Sequence, residues 1–278
     1  APKSTLELKI CNFLDKNNIK YKTNVRDLLP SKKEIDIHIE SHKLCIEING
    51  LHWHSEYYVN NNYHLNKLKE CNLLGYDLIQ IFEDEIIEKI SIVESIIKNK
   101  LNIINNEIFS KNCVVKEIND DNLIKNFLEK NNIDGYIPSD YKIGLFYENK
   151  LVSLMIFNKK FNNGDYELLK FCTKNNYSVV GAEFKLFNFF FFFLNIIIIV
   201  SYIDLRYCSG KPLYKLNMKL DKQLPPNYFY VIGKKRIDKF LFSKDRLIKE
   251  GHKIMLSKKI PRIYDCGRLK FVYKKGDI

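Results

Sequence analysis

Two acidic residues near the start of this 278-residue chain sit where strand alternation turns them to one side. Asp36 lies within Ile35-Asp36-Ile37-His38-Ile39, opposite three isoleucines, and Glu47 lies within Leu44–Asn49, opposite Ile46 and Ile48. Neighbouring strands run about 4.8 Å apart, so two such carboxylates can share one divalent cation. Five of the six histidines fall between residues 38 and 64. The segment Asn49-Gly50-Leu51-His52-Trp53-His54 follows directly from Glu47. A metal beside an imidazole is a hydrolytic arrangement: the metal polarises a phosphodiester while histidine takes a proton from water.

Each of these residues also has an ordinary structural reading. Ser4-x-x-Glu7 is a capping box as well as the place of a helix acid. Asp36 and Glu47 suit the open face of a half-solvated sheet. His54 suits a packed core. Glu83, Asp84 and Glu85 suit the first turn of a helix. His52 and His54 with His64 and a cysteine form a candidate zinc set, but the spacing matches no common structural zinc site, so no structural zinc is expected.

The elements that must position these groups are legible. Leu6, Ile10, Phe13 and Leu14 recur at helical spacing after Ser4. Strands are expected over 33–39 and 44–49, joined by Glu40-Ser41-His42. A helix is expected over 63–74 with Gly75 to stop it, then a buried strand over 77–82 and a helix from Glu83 to about Leu101. The order is that of a small α/β domain over residues 1–104, with an Asn-rich junction at 102–113.

At these residues the sequence resembles a known superfamily. The stretch EIDIHIESHKLCIEINGLHWHSE (Glu34–Glu56) is similar to the core of the PD-(D/E)xK nucleases. It is most similar to the very-short-patch repair branch and to the related phage homing endonucleases of the E-D-x-H-D type. The resemblance implies a restriction-endonuclease-like mixed sheet flanked by helices, built around magnesium. It implies that Glu7 is the helix acid, Asp36 the strand metal ligand, His54 the histidine after Trp53, and Glu47 the second acid of the superfamily. Asn49 stands where that superfamily usually has Lys, and His52 lies inside the G-x-x-W-H pattern. Glu83 and Asp84 are the candidates for the last acid.

Residues 112–278 read as a second, α+β domain: a strand at 114–118, a helix at 120–130, a hairpin at 143–157, a strand at 166–172, a helix at 181–193, a strand at 196–204 and a last hairpin near 228–232. The segments GLFYENKLVSLMIF, ELLKFCTKNNYSVVGAEFKLF and GKPLYKLNMKL are similar to the GNAT N-acyltransferase fold. In that family a glycine-rich turn before a helix cradles a cofactor pyrophosphate on backbone amides. Here the turn is Ser178-Val179-Val180-Gly181-Ala182, with one glycine and no neighbouring arginine, so acyl-CoA is not expected.

The net charge is +12, and residues 211–278 alone carry net +13. Such a surface attracts a polyanion through counterion release, which makes double-stranded DNA the expected partner. Lys234, Lys235, Arg236, Lys239, Lys244, Arg246, Arg262 and Arg268 are interleaved with Tyr228, Tyr230, Phe240 and Tyr264, a mixture suited to phosphate contact and stacking. No small-molecule substrate is expected. The run Leu186–Val200 is too short and too interrupted by Asn188 and Asn195 for a span of about 20 apolar residues, so no membrane partner is expected. Seven scattered cysteines without a C-x-x-C pair fit a reducing, cytoplasmic compartment, with phage or organelle coding compatible. The Ala-Pro start, lacking Met, implies a processed or cut terminus.

The combined expectation is a metal-dependent DNA endonuclease of the homing type using Mg²⁺ or Mn²⁺. Asp36 and Glu47 would hold the ion and His54 would activate water. The rivals are a mismatch-repair-like or junction nuclease, a non-catalytic nucleic-acid-binding subunit, and an acyltransferase.

Overall fold

The computed structural model describes residues 4–104, 106–160, 162–194, 196–242 and 260–276. In chain order it opens with α1 (Thr5–Lys16), β1 (Lys22–Val25), β2 (Ile35–Ile39), β3 (Leu44–Asn49), α2 (Tyr63–Leu73), β4 (Asp77–Phe82), α3 (Glu83–Glu88) and α4 (Ile90–Leu101). Then follow β5 (Asn106–Phe109), β6 (Val114–Glu117), α5 (Asp121–Asn131), β7 (Tyr141–Tyr147), β8 (Lys150–Lys159), β9 (Asp165–Thr173), β10 (Tyr177–Val180) and α6 (Ala182–Phe193). The rest comprises β11 (Ile198–Asp204), α7 (Lys211–Lys215), β12 (Lys219–Leu224), β13 (Tyr228–Ile232), β14 (Lys235–Asp238), β15 (Arg262–Tyr264) and β16 (Arg268–Lys274).

Contacts divide the chain into two compact units. One comprises Ala1–Ile90, Leu205–Tyr207 and Pro225–Gly267; the other comprises Ser91–Asp204, Cys208–Leu224 and Arg268–Ile278. Residues 225–267, which follow the sequence boundary at 104–112, therefore group with the first 90 residues.

The first unit holds a four-stranded sheet in the order β1-β2-β3-β4. β2 and β3 are antiparallel with Ile37 opposite Ile46, and β3 and β4 are parallel with Glu47 opposite Gln80. Ile35, Ile37, Ile39, Leu44 and Ile46 are fully buried, which fixes the register: a one-residue slip would carry the isoleucines to the other face. A second sheet, in the order β14-β13-β15, has two unlike faces. Phe229, Val231 and Ile263 pack on Leu51 and Phe82. Alternation turns Tyr228, Tyr230, Arg262 and Tyr264 the other way.

The expected helix from Glu83 to Leu101 is two helices. α3 ends at Glu88, because Lys89, with a φ of −134°, leaves the helical range, and α4 starts at Ile90.

The second unit is built on a seven-stranded sheet, β12-β16-β11-β9-β8-β7-β6. Its neighbours are antiparallel except β9 and β11. α6 packs Leu186, Phe187 and Phe190 against one face, and α5 packs Ile124, Phe127 and Leu128 against the other. The apolar run Leu186–Val200 divides between α6 and β11. Among the described residues no helix is long and apolar enough to cross a membrane.

Candidate functional site

The β2–β3 hairpin brings two carboxylates together by interrupting its own ladder. The register that pairs Ile37 with Ile46, carried one step further, sets Asp36 opposite Glu47. There the side chains take the backbone amides. Asp36 N–H donates to Glu47 Oε1 at 3.2 Å, and Ile48 N–H donates to Asp36 Oδ2 at 2.7 Å. The same face of the sheet continues to Gln80 on β4 and is covered by α2.

α2 supplies a cation. Lys67 Nζ donates to Glu47 Oε2 at 2.5 Å, and both side chains are almost wholly buried, at 3% and 2% exposure. Burial pushes the Glu47 carboxyl up, and the Lys67 ammonium opposes it. Burial acts to lower Lys67, but Glu47 outweighs it, so the ammonium is held. Asp36 carries the remaining conflict: desolvation, then the Glu47 charge, push its carboxyl up to about 8. Asp36 thus favours its protonated form at neutral pH, beside the contact between Glu47 and Lys67.

Two imidazoles lie against this cluster. His54 and His64 stack with ring centroids 5.2 Å apart and planes 18° off parallel. His64 Nδ1 meets Gln80 Oε1 at 2.9 Å, while Gln80 Nε2 donates to His64 O and to Cys266 Sγ. This sets the His64 tautomer: Nδ1 carries the proton and Nε2 is left as an acceptor with no hydrogen-bond partner. Burial lowers His54 to about 4 and His64 to about 3, so both are neutral at pH 7.

The structure places the other predicted residues as follows. Glu7 sits in the first turn of α1, its amide capped by Ser4 Oγ, and its charge reaches Asp36. Asn49 is buried and bonds through Nδ2 to Gln80 Oε1 at 3.3 Å. His52 turns away, with Nε2 2.9 Å from the Tyr58 hydroxyl and its ring edge-on to Trp53. Glu83 accepts the Leu51 amide. Asp84 and Glu85 form a closed network with Arg236 and Arg206, and both guanidinium groups lie over the Phe82 ring. Burial acts to raise Glu85, and the two arginines hold it below the usual carboxylate range.

Several cations expected to meet DNA are therefore engaged within the protein. Arg236 is turned inward in the Asp84–Glu85 network with only 12% of its side chain exposed, because a buried carboxylate pair demands a partner. Lys235 pairs with Glu88 on the surface. Lys234 and Arg268 are exposed. Lys244 and Arg246 lie outside the described residues. Lys239 and Arg262 stand on the aromatic face of the three-stranded sheet. Arg262 lies over Tyr228 at 5.2 Å and Tyr264 at 5.9 Å, while donating twice to Glu56. Lys239 lies over Tyr228 at 5.0 Å and over Phe240, itself 77% exposed, at 5.5 Å.

Two members of the buried cluster, Lys67 and Gln80, escaped the sequence reading as site residues, and His64 entered it only as part of a candidate zinc set. One signal was present. His64, Lys67 and Cys71 recur at i, i+3 and i+7, which puts polar side chains on the face of α2 that also carries Leu68 into the core.

A divalent cation fits the carboxylate pair poorly. Hard oxygens suit Mg²⁺, but three of the four carboxylate oxygens of Asp36 and Glu47 already accept protein N–H groups, and Lys67 supplies the positive charge. Among the described residues no group of three or more His, Cys, Asp or Glu side chains stands together as a metal site.

Comparison with known proteins bears on the larger question. No protein-family model matches the chain, and no curated protein does. It is similar to the ribosomal-protein-S18-alanine N-acetyltransferase from Escherichia coli, at 8% identity over 58% of this chain and 93% of that one, TM-score 0.39. It is similar to a GNAT family acetyltransferase from Elizabethkingia anophelis, at 8% identity over 59% and 98%, TM-score 0.33. It is also similar to the catalytic domain of the homing endonuclease I-Bth0305I, at 27% identity over 36% and 96%, TM-score 0.31. Both the acetyltransferases and the endonuclease are enzymes. The expected α/β class holds: the described residues form sheets packed against helices. The expected function is corrected: acetyltransferase structures cover 58–59% of the chain, against 36% for the endonuclease domain, so a metal-dependent homing endonuclease is not the reading the comparisons favour.

Proposed function

We propose that the chain binds DNA, using the cation-bearing aromatic face of β13 and β15. The observation that carries this is the placing of Arg262 and Lys239 over the one ring of Tyr228. A guanidinium held by Glu56 and an ammonium held by Asn227 are fixed in position before any ligand arrives. Fixed cations lose little rotamer freedom on meeting phosphate, and the neighbouring rings supply stacking area. The excess charge of residues 211–278 supplies the long-range attraction. In this account the Asp36–Glu47–Lys67 cluster ties the hairpin to α2, and no step passes through a metal. The test is fluorescence anisotropy of labelled duplex DNA across a salt series. Binding that weakens steeply with salt supports the proposal. No binding at low salt defeats it.

A second reading, acyl transfer, is favoured by one feature of the second unit. The parallel strands β9 and β11 pair only from Asp165–Ile198 to Leu168–Ser201. Both then run on, to Thr173 and Asp204, past a register shift that leaves Leu169 as the extra residue on β9. A wedge between parting strands is a place for an extended acyl carrier. Ser110 stands against it: its hydroxyl lies 2.8 Å from where a Cβ on Gly181 would sit, at the amino end of α6. Calorimetric titration with acetyl-CoA separates the two, since heat of binding at micromolar carrier supports acyl transfer alone.

A further inference from the structure

The seven-stranded sheet of the second unit is rich in cations at one end. β12 is its edge strand, and β16 lies between β12 and β11. Leu269, Phe271 and Tyr273 of β16 pack into the core on the side that carries α6. Alternation turns Arg268, Lys270 and Lys274 to the other side, where Arg268 and Lys274 are exposed. The register sets Lys222 of β12 opposite Lys270 and Lys219 opposite Val272, so both exposed lysines of the edge strand share that side. A bulge makes this so. Lys219 and Lys222 are three residues apart and would point oppositely in a regular strand. The shift between Leu220 and Lys222 leaves Asp221 as the extra residue and brings Lys222 round beside Lys270.

Lysine on an edge strand discourages pairing with another chain. That accounts for β12 but not for β16, an interior strand. Like charges directly opposite each other destabilise a sheet, yet Lys222 faces Lys270. Two carboxylates offset the five cations: Asp221 accepts from Lys270 Nζ at 2.7 Å, and Asp204 of β11 stands opposite Arg268. The excess fits an anionic partner. Arg268 to Lys274 spans about 20 Å of extended strand. A DNA strand carries a phosphate about every 3.4 Å of helix axis, so about six phosphates fall along that length. We propose that this face of β12 and β16 is a second contact surface for the phosphate backbone of duplex DNA. The inference rests on the DNA-binding reading above and adds a surface to it. Contacts to phosphate carry no base information, so binding through this face is insensitive to DNA sequence.

The test is fluorescence anisotropy of labelled duplex DNA across a salt series, with three full-length proteins. They are wild type, Lys222→Gln with Lys274→Gln, and Lys125→Gln with Lys130→Gln, which removes equal charge from the exposed side of α5. The Lys222/Lys274 variant is expected to bind several-fold more weakly, with a log–log salt slope shallower by about 2 and an unchanged Tm. The α5 variant is expected to keep the wild-type slope. If the Lys222/Lys274 variant binds with the affinity and slope of wild type, this surface is overturned and the DNA-binding reading stands. Equal flattening in both double variants also overturns it, because net charge alone would then account for the loss. No binding by wild type at low salt defeats the DNA-binding reading itself, and this inference with it.

Discussion

Lys67 and Glu47 face each other at 2.5 Å in the interior of the first unit, a cation from a helix set on a carboxylate from a strand. A buried pair of this kind contributes little net stability over apolar side chains of the same volume, yet losing one partner strands the other. Lys67→Met is expected to cost about 3 kcal/mol in urea unfolding, and the double variant Lys67→Met with Glu47→Gln appreciably less. A double variant as unstable as the single one would show that the pair is not coupled.

Asp36 makes the stability of the protein depend on pH in an unusual direction. Its folded carboxyl keeps its proton up to about 8, while the unfolded one releases it near the ordinary value. The folded state therefore binds more protons, and stability from this group falls as pH rises from about 4 to 8. Asp36→Asn keeps an acceptor for the Ile48 amide and removes the titration. The variant is expected to gain on the order of 5 kcal/mol over wild type between pH 4 and pH 8. An unfolding difference flat across that range would contradict the buried, proton-bearing Asp36.

The histidine stack acts on the acid side. His54 and His64 titrate in the folded chain near 4 and 3, against an ordinary 6.5. The unfolded chain takes up protons first, so their stabilising contribution is full above 6.5 and is lost as pH falls toward 4. His54→Phe preserves the ring and removes one of these groups. It should lessen the loss of stability between pH 6.5 and pH 4 by about 2 kcal/mol, read from urea midpoints.

Much of this architecture was visible in the residues. Three alternating isoleucines placed β2 and set Asp36 opposite them, and the face shared by Cys45, Glu47 and Asn49 followed from period two. β1 was missed because Lys22-Thr23-Asn24-Val25 has no apolar alternation and bends at Asn24, whose φ is +55°. Nothing local marks Lys67 as a site residue, because lysine is so rarely buried; only its partner Glu47, eleven residues past Asp36, explains it. The inward turn of Arg236 toward Asp84 and Glu85 spans about 150 residues of sequence, and no local pattern marks so distant a pairing. Charge counting registered Arg236, Lys235 and Arg262 as free cations, when each already has a carboxylate partner.

The aromatic face divides phosphate contact from protein structure. Lys239→Gln removes a cation held by an amide and leaves Asn227 free to bind water, so it should weaken DNA binding several-fold without lowering Tm. Arg262→Gln removes the Glu56 bridge as well, and should lower both.

The central claim is tested most directly by the salt dependence of DNA affinity in the Lys239→Gln variant beside wild type. DNA binding through this face predicts that the log–log slope against salt becomes shallower by about 1 when the single ammonium is lost. Equal slopes and equal affinities in the two proteins would place DNA elsewhere on the chain, or nowhere on it.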